Sequence, residues 1–430
     1  MIIRPKVIVT SASAHSIKAR ICLVSPGHLG SNPRLIKEAE ALSEAGWQVH
    51  VIHGVTNDGD KAGDESVLAA AGRWTHAEVR CVAGTRAYLL ARLRQQAARL
   101  LFNLGVRIPS VATAAQHVIA SRLRRAALAA PADFYLGHCL AALPVVVAAA
   151  RHHRAKAGFD AEDFHAGEAL DTAQGSLNNA LAQCIEDAFL PKLDHFTTSA
   201  PLISAAYEQR TELSATTLLN VFPLSEATPP RPAPPIPSFY WFSQTIGAGR
   251  GLEPMVAILL QVGRPVRLVL RGRITAEYRA ELKAKAGGGN IELVLLPPEA
   301  PAEMAACASP HTAGLALEER TPINRDLCLT NKAFTYLLAG VPVIFFHTRA
   351  QQALARELGP AALVLDPTEP ATAARQLAQW LESADAQQAA RTTAFRLGRE
   401  RYNWDREKEL LIKAVREVLG ESSPATPASE

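Results

Sequence analysis

A proline-dense run, TPPRPAPPIP from Thr228 to Pro237, divides this chain of 430 residues roughly in half. Proline lacks an amide N–H and fixes φ, so such a stretch is neither helix nor central strand and forms a stiff, extended connector. On both sides of it, short β-branched runs alternate with helical periodicity, the signature of parallel βα units. A chain of this length exceeds one ordinary core. The pattern therefore predicts an α/β protein with domains over residues 1–227 and 238–400, joined by residues 228–237. A last helix over 401–420 and a disordered tail over 421–430 complete it.

In the first half, strands are predicted over Arg20–Ser25, Gln48–His53, Glu78–Val82, Asp133–His138, around Gly158, His195–Ser199 and Thr217–Asn220. The helix Pro33–Ala45 has Asn32 as its N-cap, proline at its first position and Gly46 beyond its end. Helical patterns also cover Tyr88–Leu104, Ala112–Leu128, Leu143–Arg154 and Gln174–Leu190. In the second half, strands are predicted over Phe239–Phe242, Val266–Leu270, Ile291–Leu295, Gly314–Leu317, Val341–Phe346 and Ala362–Leu365. Helices are predicted over Leu252–Val262, Asn331–Ala339 and Pro370–Glu382.

Composition excludes several classes. No charge-free apolar run reaches the length of a spanning helix, and the N-terminus lacks the apolar core of a secretory signal. The six cysteines are scattered without a CxxC pair, which fits free thiols in a reducing, cytoplasmic compartment. From Arg80 to Ala129 there are nine arginines and no Asp or Glu. A basic amphipathic helix there can rest on the anionic inner face of a membrane; a solvated helix face is the alternative. Aromatic residues are not interleaved with these arginines as stacking on nucleic acid requires, so no nucleic-acid partner is expected.

Both halves open with a strand, a glycine-containing loop and a helix, a turn that brings backbone amides close to an anion. The first loop contains Gly27 and Gly30; the second, Gly247, Gly249 and Gly251, carries Arg250 beside a helix N-terminus. Neither is a GxGxxG fingerprint, and the acidic residue that would follow the second strand is missing, which argues against a nicotinamide-dependent oxidoreductase. In LALEERTPINRDLCLTNKAFTYLLAGVPVIFF, Leu315–Phe346, Thr330 is positioned to cap a helix whose first turn holds Asn331 and Lys332. A lysine there opposes the helix dipole, a conflict that a bound diphosphate would remove. Asp58-Gly59-Asp60 reads as a solvated turn in an acidic glycine-rich loop rather than a metal site, and no metal is expected. His152 and His153 read as surface residues.

The run TNKAFTYLLAGVPVI resembles the signature of glycosyltransferase family 4, and further segments resemble that family in the same order. These are SPGHLGSNPRLIKEAEALSEAGWQVHVI, DFYLGHCLAALP, AGFDAEDFHAGE, LLNVFP, FSQTIGAGRGLE and YNWDREKELL. The resemblance spans Arg20 to Leu419. It implies the GT-B fold, two Rossmann-like domains facing each other across a cleft, with the final helix crossing back to the first domain. It places His138, Arg250 and Lys332 in catalysis. Gly30, Gly249, Thr330, Asn331 and Thr335 would contact the donor, with Glu318 or Glu319 able to reach the donor sugar from the end of its strand, and Asp160, Glu162, Asp163 and His165 would line the acceptor side. Thr335 stands where the family carries a glutamate, and Gln244 where it carries an arginine.

The implied activity is metal-independent transfer of a sugar from a nucleoside diphosphate sugar, as co-substrate, to a glycan or lipid-linked hydroxyl, with retention of configuration. It would serve glycan or surface-polysaccharide synthesis. Two alternatives are a nucleotide-sugar epimerase of the same fold and a non-catalytic binding protein, the latter suggested by Thr335.

Overall fold

The computed structural model describes residues 18–287 and 289–421. The N-terminal stretch read as lacking a signal, and the tail beyond Glu421 read as disordered, lie outside the described residues.

Seven strands come from the first half: β1 (Arg20–Ser25), β2 (Gln48–Val55), β3 (Thr75–Arg80), β4 (Phe134–His138), β5 (Lys156–Ala161), β6 (His195–Thr198) and β7 (Thr216–Thr217). They form one sheet in the order β3-β2-β1-β4-β5-β6-β7. Six come from the second half: β8 (Ser238–Ile246), β9 (Val266–Ile274), β10 (Ile291–Leu296), β11 (Ala313–Ala316), β12 (Val343–Phe346) and β13 (Ala362–Leu365). Their order is β10-β9-β8-β11-β12-β13, and the pairings in both sheets are parallel. Strands such as β1 and β4, buried along their length, require helices on both faces, which is what βα alternation supplies. The expected α/β architecture is therefore observed.

Strand order reverses between β1 and β4 in the first sheet and between β8 and β11 in the second. In open parallel sheets the crevice beyond the carboxyl ends of the strands at such a reversal is where ligands bind. That rule selects the loop after β1, the turn after β4, the glycine loop after β8 and the segment after β11.

The connector hugs the second domain. Thr228 N–H donates to Leu338 O at 3.0 Å, and Ser309 Oγ donates to Pro229 O at 3.0 Å. Gly340 has φ +62°, and a Cβ there would lie 2.7 Å from Pro230. The last helix, Trp404–Leu419, packs on the helix Pro33–Glu44 of the first half. It is stapled there by Trp404 N–H to Phe222 O at 2.8 Å and by Glu407, which accepts from Leu219 N–H at 2.8 Å.

Several local readings needed correction. The acidic glycine-rich loop is in part a helix, Lys61–Ala70, because Asp64 finds a buried partner. The helical pattern Ala112–Leu128 is two helices, Pro109–Gln116 and Ala120–Ala129, broken at the extended His117. Helices Pro201–Thr211, Ala276–Ala286, Arg349–Leu358 and Ala384–Glu400 add to those read from periodicity.

Candidate functional site

The wall contributed by the second domain starts at the glycine loop. Gly249 and Gly251 take φ of +68° and +74°, a left-handed backbone that glycine adopts without a Cβ penalty. At Gly251 a Cβ would also lie 2.8 Å from Leu317 Cβ. The Gly249 carbonyl accepts from the Arg325 guanidinium, which fixes the loop to the short helix Ile323–Leu327. Arg250, beside it, is half-buried, and its side chain makes no hydrogen bond or ion pair among the described residues.

Lys332 is only 8% exposed, with its ammonium 5.3 Å from the Trp241 ring centroid and 3.5 Å from Thr330 Oγ1. Burial pushes its pKa down; Glu318 opposes that shift, while Arg250 and Arg325 add to it. Three cations and one carboxylate thus share a small volume at the end of β11 and the start of the helix Asn331–Leu338. Such an excess of buried positive charge is a natural seat for an anion. Arg325 does not stand out in the sequence; its position five residues before Thr330 of the TNK run is the available signal, without meaning until the loop contact is seen.

Two donor-side expectations change. Thr330 is the N-cap residue of its helix, but its side chain makes no capping hydrogen bond. Thr335 is 2% exposed, and its hydroxyl donates to Asn331 O at 3.4 Å, so it is absorbed by its own helix. Asn331 is half-buried in the first turn and Glu318 is buried beside Lys332.

On the opposite wall, the loop after β1 is locked rather than open. Asp64 Oδ2 lies 2.6 Å from His28 Nδ1, and Gly30 N–H donates to Asp64 Oδ1 at 3.0 Å. The Gly30 amide expected to meet a phosphate therefore already has a carboxylate partner. Its missing Cβ serves helix approach instead, since that atom would lie 2.9 Å from the Gly63 backbone. Asp58 pairs with Arg80 at 2.6 Å, so it behaves as a surface turn residue.

Beneath that loop lies a buried ion cluster. Arg34 makes a bidentate pair with Asp160, both bonds 2.7 Å, and lies 3.5 Å from Glu38. Thr197 Oγ1 donates to Asp160 at 2.6 Å. His138 is 2% exposed, with Nε2 3.1 Å from Glu38 and Nδ1 3.6 Å from Asp160. Burial lowers the His138 pKa, but Glu38 and Asp160 outweigh it and raise it overall. His138, expected to touch sugar or acceptor, has carboxylates facing both ring nitrogens. Glu38, His138 and Asp160 hold potential metal-ligand atoms within 4.8 Å of one another; the Arg34 guanidinium already places a cation there, bonded to Asp160 and 3.5 Å from Glu38.

Asp160, expected on the acceptor side, is wholly buried in that cluster. Glu162 is half-buried and accepts from Asn220 Nδ2 at 2.8 Å. His165 Nδ1 lies 3.0 Å from Glu168; burial lowers its pKa, but Glu168 overcomes this and holds it at about 9. Asp163 crosses the cleft, accepting from Asn324 Nδ2 at 2.7 Å, while Asn324 Oδ1 accepts from Phe164 N–H at 2.7 Å. Between β4 and these residues, Cys139 has φ +62° and ψ 149°, a strained backbone of the kind found at functional sites. The two walls meet at Cys328, whose thiol is pushed up by burial and then by Glu318 and Asp163, against Arg325 and Lys332.

No protein-family model and no curated protein matches the chain. Solved structures do. Sucrose-phosphate synthase from Thermosynechococcus elongatus is similar with a TM-score of 0.68 at 15% identity, covering 94% of this chain and 100% of that one. HepE of Anabaena in complex with UDP-glucose gives 0.65 at 14% identity, covering 93% and 100%. A UDP-forming trehalose-phosphate synthase from Burkholderia xenovorans gives 0.61 at 15%, covering 93% and 99%. The fold is the GT-B arrangement of these glycosyltransferases.

Proposed function

We propose that the chain is a glycosyltransferase that moves a sugar from a nucleoside diphosphate sugar to a hydroxyl of a glycan or lipid-linked acceptor. The observation that carries this reading is the convergence of Arg250, Arg325 and Lys332 on the crevice beyond β8 and β11, with Glu318 among them. Solved structures of the same fold include one in complex with UDP and another with UDP-glucose.

When the bond between the anomeric carbon and the phosphate oxygen breaks, negative charge grows on the departing diphosphate. Fixed cations and helix-end amides stabilise that charge without reorganising, in a site that partly excludes water. Arg250 and Lys332 would take the diphosphate, Arg325 would hold the glycine loop that presents Arg250, and Glu318 would accept hydroxyls of the donor sugar. No metal is needed in this account. The acceptor oxygen bonds to the anomeric carbon on the face the phosphate leaves, and a phosphate oxygen takes the acceptor proton, so configuration is retained. His138, Asp160 and Arg34 would be positioning residues that stiffen the acceptor wall, and Glu162 would meet an acceptor hydroxyl.

The work would be done in the cytoplasm, at or near the inner face of a membrane, which suits six free thiols and a role in surface-polysaccharide synthesis. Thr335, lacking the family carboxylate, favours a second reading, a protein that binds the nucleotide sugar without turning it over. Incubation with a panel of nucleoside diphosphate sugars, followed by detection of released nucleoside diphosphate, separates the two. Release abolished by Lys332→Ala supports transfer; stabilisation by the nucleotide without any release supports the binding protein.

A further inference from the structure

The helix Arg86–Asn103 turns its leucines to water. Its buried residues include Gln95, Ala98 and Phe102, whereas Leu90 is 69% exposed, Leu93 67% and Leu104 72%. Leu89, Leu100 and Leu101 are exposed along the same side, and the apolar surface runs on through Val106 and Ile108. A contiguous leucine stripe open to water marks a surface that another phase or partner covers.

Its charge identifies the partner. Arg86, Arg92 and Arg94 flank the stripe, exposed, and Arg124 and Arg125 stand exposed on the neighbouring helix Ala120–Ala129. No Asp or Glu lies between Arg80 and Ala129. A second copy docked on this face would set arginines against arginines without a local carboxylate to pair them. An anionic bilayer instead offers apolar chains to the leucines and phosphates to the guanidinium groups.

We infer that this face docks on an anionic lipid bilayer, with the helix lying in the interface plane. A cavity of about 650 Å³ opens beside it, lined by Arg94, Arg124 and Arg125 together with Val118, Val145 and Phe189, the combination that fits a lipid phosphate and the start of its chain. A second cavity of about 340 Å³ joins Arg99 to Leu140, His165 and Glu168, where the turn after β4 and the loop after β5 begin the acceptor wall. Delivery of a lipid-linked acceptor along that path rests on the transferase reading; the docking itself does not.

Co-sedimentation of the full chain with vesicles of phosphatidylcholine alone, and of phosphatidylcholine mixed with phosphatidylglycerol, tests it. The protein should pellet with the mixed vesicles and not with the neutral ones. Leu90→Glu combined with Leu93→Glu should cut the bound fraction by about tenfold, and Arg124→Glu with Arg125→Glu should weaken it while Leu90 and Leu93 remain. These four side chains are exposed or half-exposed, and an unchanged melting temperature checks the fold. Equal pelleting with both vesicle types, no pelleting with either, or a dimer in sedimentation velocity that Leu90→Glu disperses would each overturn the proposal. A UDP-induced melting shift, measured on the same samples, is independent of it: vesicle binding without that shift discards the transferase reading and leaves the docking face standing.

Discussion

Asn324 of the second domain grips Asp163 of the first, donating from Nδ2 to Oδ1 at 2.7 Å while its own Oδ1 takes the Phe164 amide hydrogen at 2.7 Å. One side chain thus closes both ends of a bridge over the cleft. Around it, Ile323 packs near Gly167, where a Cβ would lie 3.0 Å from Ile323 Cγ2. Asn324→Ala leaves a carboxylate and an amide without partners, at about 1–3 kcal/mol each when buried. The closed arrangement should therefore lose population. Small-angle scattering should show a larger radius of gyration at unchanged helix content; an unchanged radius would count against the bridge.

Asp64 has the corresponding duty within the first domain, where it holds His28 and the Gly30 amide together. In Asp64→Ala the loop after β1 should exchange its amide hydrogens at least about tenfold faster, the equivalent of losing about 1.4 kcal/mol of local protection. Hydrogen-exchange mass spectrometry of the peptide covering Gly27–Ser31 reads this directly, and β4 serves as the internal control.

The cluster of Arg34, Glu38, His138 and Asp160 is buried almost completely, so removing its one guanidinium leaves two buried carboxylates without that cation. Arg34→Ala should cost about 3–5 kcal/mol in urea unfolding. Asp160 also sets a low-pH limit. Burial raises its pKa, but Arg34 and His138 more than reverse this and hold it at about 2, below its ordinary 3.8. A depressed carboxyl contributes stability that is present above its unfolded pKa and fades as pH falls through the folded one. Stability measured from pH 4 downward should decline in the parent protein, and Asp160→Asn should flatten that slope.

His165 acts in the opposite direction. Its pKa is held at about 9 against an ordinary 6.5, with Glu168 outweighing burial. A raised histidine contributes stability that is full below about pH 6.5 and is lost as pH rises through about 9. Urea midpoints should fall over that window. In Glu168→Gln the fall should shift to lower pH, and a pH dependence identical to that of the parent would refute the pairing.

The fold was legible because its strands are buried on both faces and so are written as short apolar runs, as in β1, β4 and β12, while the prolines at 229–237 mark the break. Helix Lys61–Ala70 was not legible: its acidic residues and Gly63 resemble a solvated loop, and only the pairing of Asp64 with His28 reveals the helix. The same reason hid Arg34 and Lys37. In the pattern PRLIKEAEALSE they occupy what reads as the polar face, yet both are buried; Arg34 meets Asp160, 126 residues away, and Lys37 lies over Phe222 and Trp404. Arg250 and Lys332 stand out in the sequence by their places beside helix starts, whereas Arg325 stands out only through its bond to Gly249. Sequence spacing reports neighbours along the chain and not the partners the fold supplies: Asp160 and the Gly30 amide meet charged groups from distant segments, and Thr335 bonds within its own helix.

In the proposed transfer, Arg250 and Lys332 seat the nucleoside diphosphate, and Arg325 holds the glycine loop that presents Arg250. Titration calorimetry of UDP into the parent protein and into Arg250→Ala, Arg325→Ala and Lys332→Ala addresses this seating most directly. Saturable binding should occur in the parent and weaken by about tenfold or more in Arg250→Ala and Lys332→Ala, the worth of one charge-assisted phosphate contact, and should weaken in Arg325→Ala through release of the glycine loop. Parent protein that takes up no UDP, or variants that bind it as well as the parent does, would contradict the account.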